Sequence, residues 1–365
     1  MVTPEIASPA PASDRFRSGF PERAALHRPL LVMVGAMTAL TIVSACGLVV
    51  DDRQLLGESV WLKPLKFGVA FALYGLTLIW LLALPHRGRR ATWWLGTAFA
   101  VTGVLDVGFI AVQAARGTFS HFNNSDPDPV NVIGQQIFVS GVPGLFVANL
   151  VLALILCAQR LVDRPTTRAI RAGLVLAVAG MAQAYLLGFT GKQRVVDAEG
   201  RIVELVAGHT VVEPGLRTEL ARDGAGMPIT HWSTIGGDLR IPHFLGLHGI
   251  QVLLAAVIIS AALATRLPWL RGERTRTDLV GVLAVGYAGL FGLTFWQATR
   301  AQPLLRPDAL TVGAFAALVV VVACLGVLVY RRGRARAGEA ITRRSDSAAL
   351  SADVRRHGRA GAESH

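Results

Sequence analysis

Three groups of residues in this 365-residue sequence have the types and spacing to do chemistry. The first is Trp61-Leu62-Lys63-Pro64-Leu65-Lys66-Phe67. It holds two of only three lysines among 36 basic residues, which singles out a compact ammonium charge where the chain otherwise uses the planar fork of arginine. Lys63 and Lys66 are three apart and share a face if a helix begins at the turn of Pro64. Two such groups could hold an anion. Alternatively they snorkel toward lipid headgroups, with Trp61 as an interfacial anchor.

The second group begins with Asp106, which lies inside a long apolar run with Gln113 seven residues on and therefore on the same helical face. An ionisable group at such depth is costly and points to a proton relay or a counter-ion, with Lys63, Lys66 or Arg116 as partners. A structural ion pair is the plainer reading. Just beyond, Arg116-Gly117-Thr118-Phe119-Ser120-His121-Phe122-Asn123-Asn124 combines a cation, a titratable imidazole and amides, a mixture that a water-facing loop can also carry without function.

The third group runs from Gly236 to Gln251. Asp238 can pair with Arg240 or cap the helix that Pro242 opens. His243 and His248 are five apart, about 140° around a helix, so they do not form an i,i+4 metal pair. His248 and Gln251 do share a face. His121, His243 and His248 could ligate haem or copper only by converging from different helices. As titrating groups, Asp106, His121 and His248 form the candidate proton relay.

Short stretches recur in the same order. Gln113-Ala114-Ala115-Arg116 is echoed by Gln297-Ala298-Thr299-Arg300, Asp51-Asp52-Arg53 by Asp238-Leu239-Arg240, and Lys66-Phe67 by His243-Phe244. Two four-helix repeats in parallel orientation would explain this, and chance matches in Ala- and Arg-rich sequence are the alternative. The ligand-binding candidates are then Arg53, Lys63, Lys66, Arg116, Asn123, Asp238, Arg240, Gln251, Gln297 and Arg300.

The elements that must position these residues are set by composition. The chain is 52% hydrophobic and only 16% charged, with mean hydropathy +0.48, where a soluble domain carries about 25% charged residues. Apolar runs at 30–50, 67–85, 91–113, 135–158, 172–190, 244–265, 279–298 and 309–330 are each long enough to span a bilayer. The expected fold is all-α, an integral membrane bundle of eight transmembrane helices. Spans 1–4 occupy 30–158, spans 5–8 occupy 172–330, and 191–242 forms a small outer cap. Within the cap, Arg194–Glu204 alternates around a Gly-containing turn like a β-hairpin, and the part after Gly215 could form a helical turn or two. The segments 1–29 and 331–365 read as disordered tails. Ser140-Gly141-Val142-Pro143-Gly144 should break or kink the fourth span.

Arginine gathers in 86–90, 160–171, 266–276 and both tails, while the opposite loops are nearly balanced in charge. By the positive-inside rule both termini are cytoplasmic, and the Arg, Ala and Val bias suggests a bacterial plasma membrane protein. Orientation, rather than nucleic-acid binding, accounts for the net charge of +12. Cys46, Cys157 and Cys324 lie in apolar runs without CxxC partners, so neither a disulfide framework nor a zinc site is expected. Val43-Ser44-Ala45-Cys46 loosely fits a lipoprotein cleavage site, but the apolar run continues past it and an uncleaved first helix is expected. Walker, Rossmann, GxSxG and zincin motifs are missing.

The function expected from these residues is binding or transport of an anionic small molecule or lipid headgroup at an outward-facing polar site, with proton coupling. The alternatives are a membrane-embedded redox or haem/metal enzyme at the outer leaflet, and a sensor or assembly factor whose 191–242 cap meets a partner.

Overall fold

In the computed structural model, residues 26–124, 127–213 and 222–360 are described. The chain is mostly helical. Its helices are α1 (Arg28–Val50), α2 (Leu62–Ala83), α3 (Arg89–Ala115), α4 (Pro129–Cys157), α5 (Arg164–Ala184), α6 (Arg240–Leu263), α7 (Glu273–Thr299) and α8 (Ala309–Ala360). Among the described residues, eight helices are long and apolar enough to cross a membrane. Most begin a few residues before their apolar run, and some of these starts carry a polar cap. Asp128 accepts the N–H of Asn131 at the start of α4 and His27 accepts that of Leu30 at the start of α1.

Two sequence expectations are corrected, a break in the fourth span and the end of the eighth helix. α4 runs unbroken through Pro143. One missing N–H is tolerable when the helix is held against a neighbour on its other face, as α4 is at Gly134 and Gly141. α8 does not stop where its apolar run ends: it stays helical through Ala360, over a stretch expected to lack regular structure. No proline follows Pro307, and Ala and Arg, both strong helix formers, dominate there.

Contacts divide the chain into two units, the first carrying α1–α4 and the second α5–α8 with the segment between α5 and α6. In the first, α1 packs on α2, α3 on α4, and α3 also meets α1 and α2. In the second, α5 packs on α6, α7 on α8, and α7 also meets α5 and α6. The pairing order is the same.

Both units use glycine to bring helices close. On α4, Gly134 and Gly141 are seven apart and face α3. On α5 and α6 the approach is tighter still: a Cβ on Gly246 would lie 2.5 Å from the Cα of Gly180, and one on Gly173 would lie 2.4 Å from the Cα of Ile250. Backbone atoms cannot move aside as a side chain can, so these positions tolerate only glycine. Gly246→Ala should therefore force α5 and α6 apart and cost about 1–3 kcal/mol, read as a lowered melting temperature of the detergent-solubilised protein. An unchanged melt would show that the helix pair yields freely.

Short strands complete the chain: β1 (Gln54–Leu55), β2 (Glu58–Ser59), β3 (Gln193–Val196), β4 (Ile202–Leu205), β5 (Thr210–Val211) and β6 (Gly237–Asp238). β3 and β4 pair antiparallel with Gln193 opposite Leu205 and Val196 opposite Ile202, the hairpin expected from the alternation. The helical turn expected after Gly215 falls largely outside the described residues.

Candidate functional site

Asp106 is 5% exposed and its Oδ1 has no hydrogen-bond partner among the described residues. The reason for its burial is local. Phe99, Asp106 and Gln113 are spaced by seven on α3 and form one stripe. α4 answers that stripe with Gly141, where an added Cβ would lie 2.3 Å from Asp106 Oδ1. Glycine there admits the carboxyl between the helices, and among the described residues its Oδ1 has no partner.

Around this segment the first unit lays a chain of rings. Phe109 meets Phe138 at 5.0 Å, Phe138 meets His121 at 4.5 Å, and His121 meets Phe67 at 5.9 Å. Phe67 then meets Phe71 at 6.5 Å, Phe71 meets Phe99 at 6.1 Å, and Phe99 stacks on Tyr74 at 5.6 Å. The chain leaves α3 three residues after Asp106 and returns to it seven residues before. Tyr74 Oη donates to Asn149 Oδ1 at 2.8 Å, a buried polar pair that satisfies both groups. Lys63 and Lys66 are half-buried in the first turns of α2, next to Phe67 in sequence.

The four candidate arginines are engaged by aspartates. Arg53 donates through Nε to Asp51 Oδ1 at 3.0 Å and through Nη2 to Oδ2 at 2.8 Å, and also reaches Ala115 O at 3.1 Å. Arg53 and the Trp61 indole together hold the Asp51 carboxyl well below the usual carboxylate range. Arg116 donates to Asp128 Oδ2 at 2.7 Å and to Gln113 Oε1 at 3.0 Å, and so keeps Asp128 low as well. Gln113 in turn donates to Asn131 Oδ1, joining the end of α3 to the start of α4.

The second unit repeats this chemistry. Arg240 donates through Nε to Asp238 Oδ1 at 3.0 Å and through Nη2 to Oδ2 at 2.7 Å, with its backbone N–H on Oδ1 at 2.9 Å. Arg53 uses the same three donors on Asp51. Arg300 forks onto Asp308, which caps α8 through the N–H of Thr311 and is held low by the guanidinium. Gln297 donates to Pro303 O at 2.9 Å. These aspartates, Asp51, Asp128 and Asp308, were not among the sequence candidates. Asp128-Pro129 carries a visible signal, since an acidic N-cap before a proline at the first helical position is a helix start.

The remaining candidates are dispersed within the second unit. His243 uses Nδ1 on Gly180 O at 2.8 Å, which ties α6 to α5. His248 stacks on Phe244 with centroids 6.3 Å apart, and its Nδ1 has no hydrogen-bond partner among the described residues. Gln251 follows one turn along α6. Asn123 is fully buried beside Phe122, whose carbonyl accepts the N–H of Val206. Among the described residues no three His, Cys, Asp or Glu side chains gather to hold a metal ion.

The segment between α5 and α6 has a polar centre. Asp223, 6% exposed, accepts from Gln193 Nε2 at 2.8 Å and from the backbone N–H groups of His209 and Thr210. Burial opposes its ionisation, but the bonds from His209, Gln193 and Thr210 outweigh that and hold its carboxyl far below the ordinary range. A carboxylate with a depressed folded pKa contributes stability above its unfolded value, about 3.9, and loses it as pH falls toward the folded value. This segment should therefore loosen in acid, below about pH 4. Asp223→Asn should loosen it at neutral pH, measured as faster hydrogen exchange over 190–212. Equal exchange in the two proteins would refute the assignment.

No family model matches the chain, and neither a curated protein nor a solved structure shows significant similarity to it.

Proposed function

We propose that this chain is a multi-pass protein of a bacterial plasma membrane, built from two parallel four-helix repeats, and that its first repeat binds and moves an anionic small molecule or lipid headgroup by proton coupling. The repeat is supported by the equal pairing order of the helices and by the Asp51–Arg53 and Asp238–Arg240 forks, which use the same donors on the same acceptors. The Arg-rich loops at 86–90, 160–171 and 266–276 favour the cytoplasm as their side. On that orientation Lys63, Lys66, His121 and the forks lie at outer helix ends, with 191–242 as an outer cap.

One observation carries the functional reading: Asp106 is buried in a spanning helix with neither a counter-ion nor a hydrogen bond on Oδ1 among the described residues. A carboxyl so placed must be neutralised by a proton or by an arriving cation, and exchange between these is the coupling step of a transporter. Lys63 and Lys66 supply the positive charge that receives the anion. The four arginines, their charge already met, fix the helix ends that position the site.

The test is uptake of a phosphate-bearing solute, glycerol phosphate, into proteoliposomes under an imposed pH gradient. Wild-type protein should accumulate it, and Asp106→Asn should not. Uptake that persists in Asp106→Asn would overturn the coupling role, and wild-type vesicles that take up no more than protein-free ones would overturn the reading.

A further inference from the structure

Arg240 and Arg300 are each held by an aspartate. Arg266, Arg271 and Arg334, at the opposite helix ends of the second unit, are exposed and have no acidic partner among the described residues. We propose that the turn between α6 and α7, with the end of α8 laid against it, binds the headgroup of an anionic phospholipid. The inference rests on the chain being a membrane protein and is independent of transport.

The structure brings the parts of this site together from three segments. A single 3-10 turn, Pro268–Leu270, joins α6 to α7, with Arg266 before it and Arg271 after it. α8 lies against that turn: a Cβ on Gly333 would be 3.1 Å from both the ring and the carbonyl oxygen of Trp269. Tyr330, three residues earlier on α8, meets the Trp269 ring edge-on at 5.2 Å. Arg334 donates through Nη1 to Tyr330 Oη at 3.2 Å, its guanidinium 5.8 Å from the centre of that ring. From α7, Arg276 donates through Nη1 to the carbonyls of Leu270 and Arg271, each at 3.0 Å. The neighbouring acids are engaged elsewhere. Glu273 accepts the N–H of Arg164, and Asp278 is shared by Arg168 and Arg336.

Chemistry selects the occupant. Guanidinium forks match the oxygens of a phosphate, and a Trp–Tyr pair is at home at the level where headgroup meets acyl chain. The helices leading to the turn supply the apolar part: Val327 and Leu328 of α8, Leu263 of α6 and Leu267 beside the turn are all exposed. A diacyl lipid meets both the guanidiniums and this apolar wall, whereas a soluble anion meets only the first. A zwitterionic headgroup carries its own cation against the phosphate, so an arginine cluster without acids favours a lipid with net negative charge.

Native mass spectrometry of the detergent-purified full chain, titrated with dioleoylphosphatidylglycerol or dioleoylphosphatidylcholine, tests this. The wild type should hold phosphatidylglycerol saturably and more tightly than phosphatidylcholine by on the order of tenfold or more. Each basic side chain near an anionic headgroup strengthens attachment about fivefold. The double variant Arg271→Gln with Arg334→Gln should therefore weaken phosphatidylglycerol by roughly 25-fold and leave phosphatidylcholine unchanged. Both side chains are exposed, so the variant should melt as the wild type does in detergent alone. Arg89→Gln with Arg90→Gln, at the start of α3, removes the same charge elsewhere and should spare the tightest phosphatidylglycerol site. Equal retention of the two lipids overturns the inference. Equal losses in the two double variants overturn it as well, since attraction would then be diffuse and not seated at the turn. Displacement by soluble glycerophosphoglycerol as effective as by the lipid itself would overturn the apolar wall and make the occupant a free anion. Alkaline carbonate washing of cell membranes separates the two levels of failure. A chain released by it fails as a membrane protein, whereas one that stays in the membrane yet shows no lipid preference fails only at this site.

Discussion

Asp106→Asn should abolish gradient-driven accumulation while leaving the protein folded. The amide has nearly the volume of the carboxyl, so the close fit against Gly141 survives. What is lost is the ability to take up and release a proton. Removing an essential proton-transfer group lowers rates by about 10²–10⁴-fold, so accumulation should fall to the leak of empty vesicles. Binding of glycerol phosphate without a gradient should persist, because Lys63 and Lys66 are untouched. That split matters. If binding and accumulation both vanish with an unchanged melt, Asp106 contacts the anion site directly and the separation of roles proposed here fails. If neither changes, the carboxyl is a buried structural group. A companion variant, Gly141→Ala, presses a methyl group onto the carboxylate and should impair accumulation with Asp106 still present.

The eight long apolar helices were legible because apolar runs of bilayer length show directly in sequence, and each observed helix contains most of its run. The ends were less legible: α4 begins at Pro129, six residues before its run, because Asp128 caps a polar first turn. Asp106 stood out as a lone acid in a run of apolar residues. Its setting did not, because Gly141 and Phe138 become meaningful only when the register of α3 against α4 is known. The arginines teach the same point from the other side. Arg53, Arg116, Arg240 and Arg300 looked like anion ligands one by one, yet Asp128 and Asp308 reach theirs from 12 and 8 residues away. The Asp238–Arg240 and Asp51–Arg53 pairings, each two residues apart, were the ones readable from spacing. The Tyr74–Asn149 bond spans 75 residues and leaves no local trace.

Asp238→Ala should be among the most destabilising single changes in the second unit. The Asp238 side chain is fully buried and Arg240 is 16% exposed. The carboxylate accepts from the Arg240 backbone, its Nε and Nη2, and from the Ser233 N–H at 2.8 Å. Arg240 Nη2 also donates to His231 O. Deleting the carboxylate strands a guanidinium in a buried site, and breaking a buried pair in this way costs about 3–5 kcal/mol. Removing both partners relieves the stranded charge, so Asp238→Ala with Arg240→Met should recover a good part of the loss, a coupling that a double-mutant cycle reads directly. The equivalent fork in the first unit sets the scale. Asp51 and Arg53 are 18% and 38% exposed, so water can solvate whichever partner remains, and Asp51→Ala should cost about 1 kcal/mol or less. Melting curves of the four variants decide it. Equal losses at Asp238 and Asp51 would mean that burial does not set the strength of the forks. A double variant no better than Asp238→Ala would place the loss in the Ser233 and Arg240 backbone bonds instead of the stranded charge.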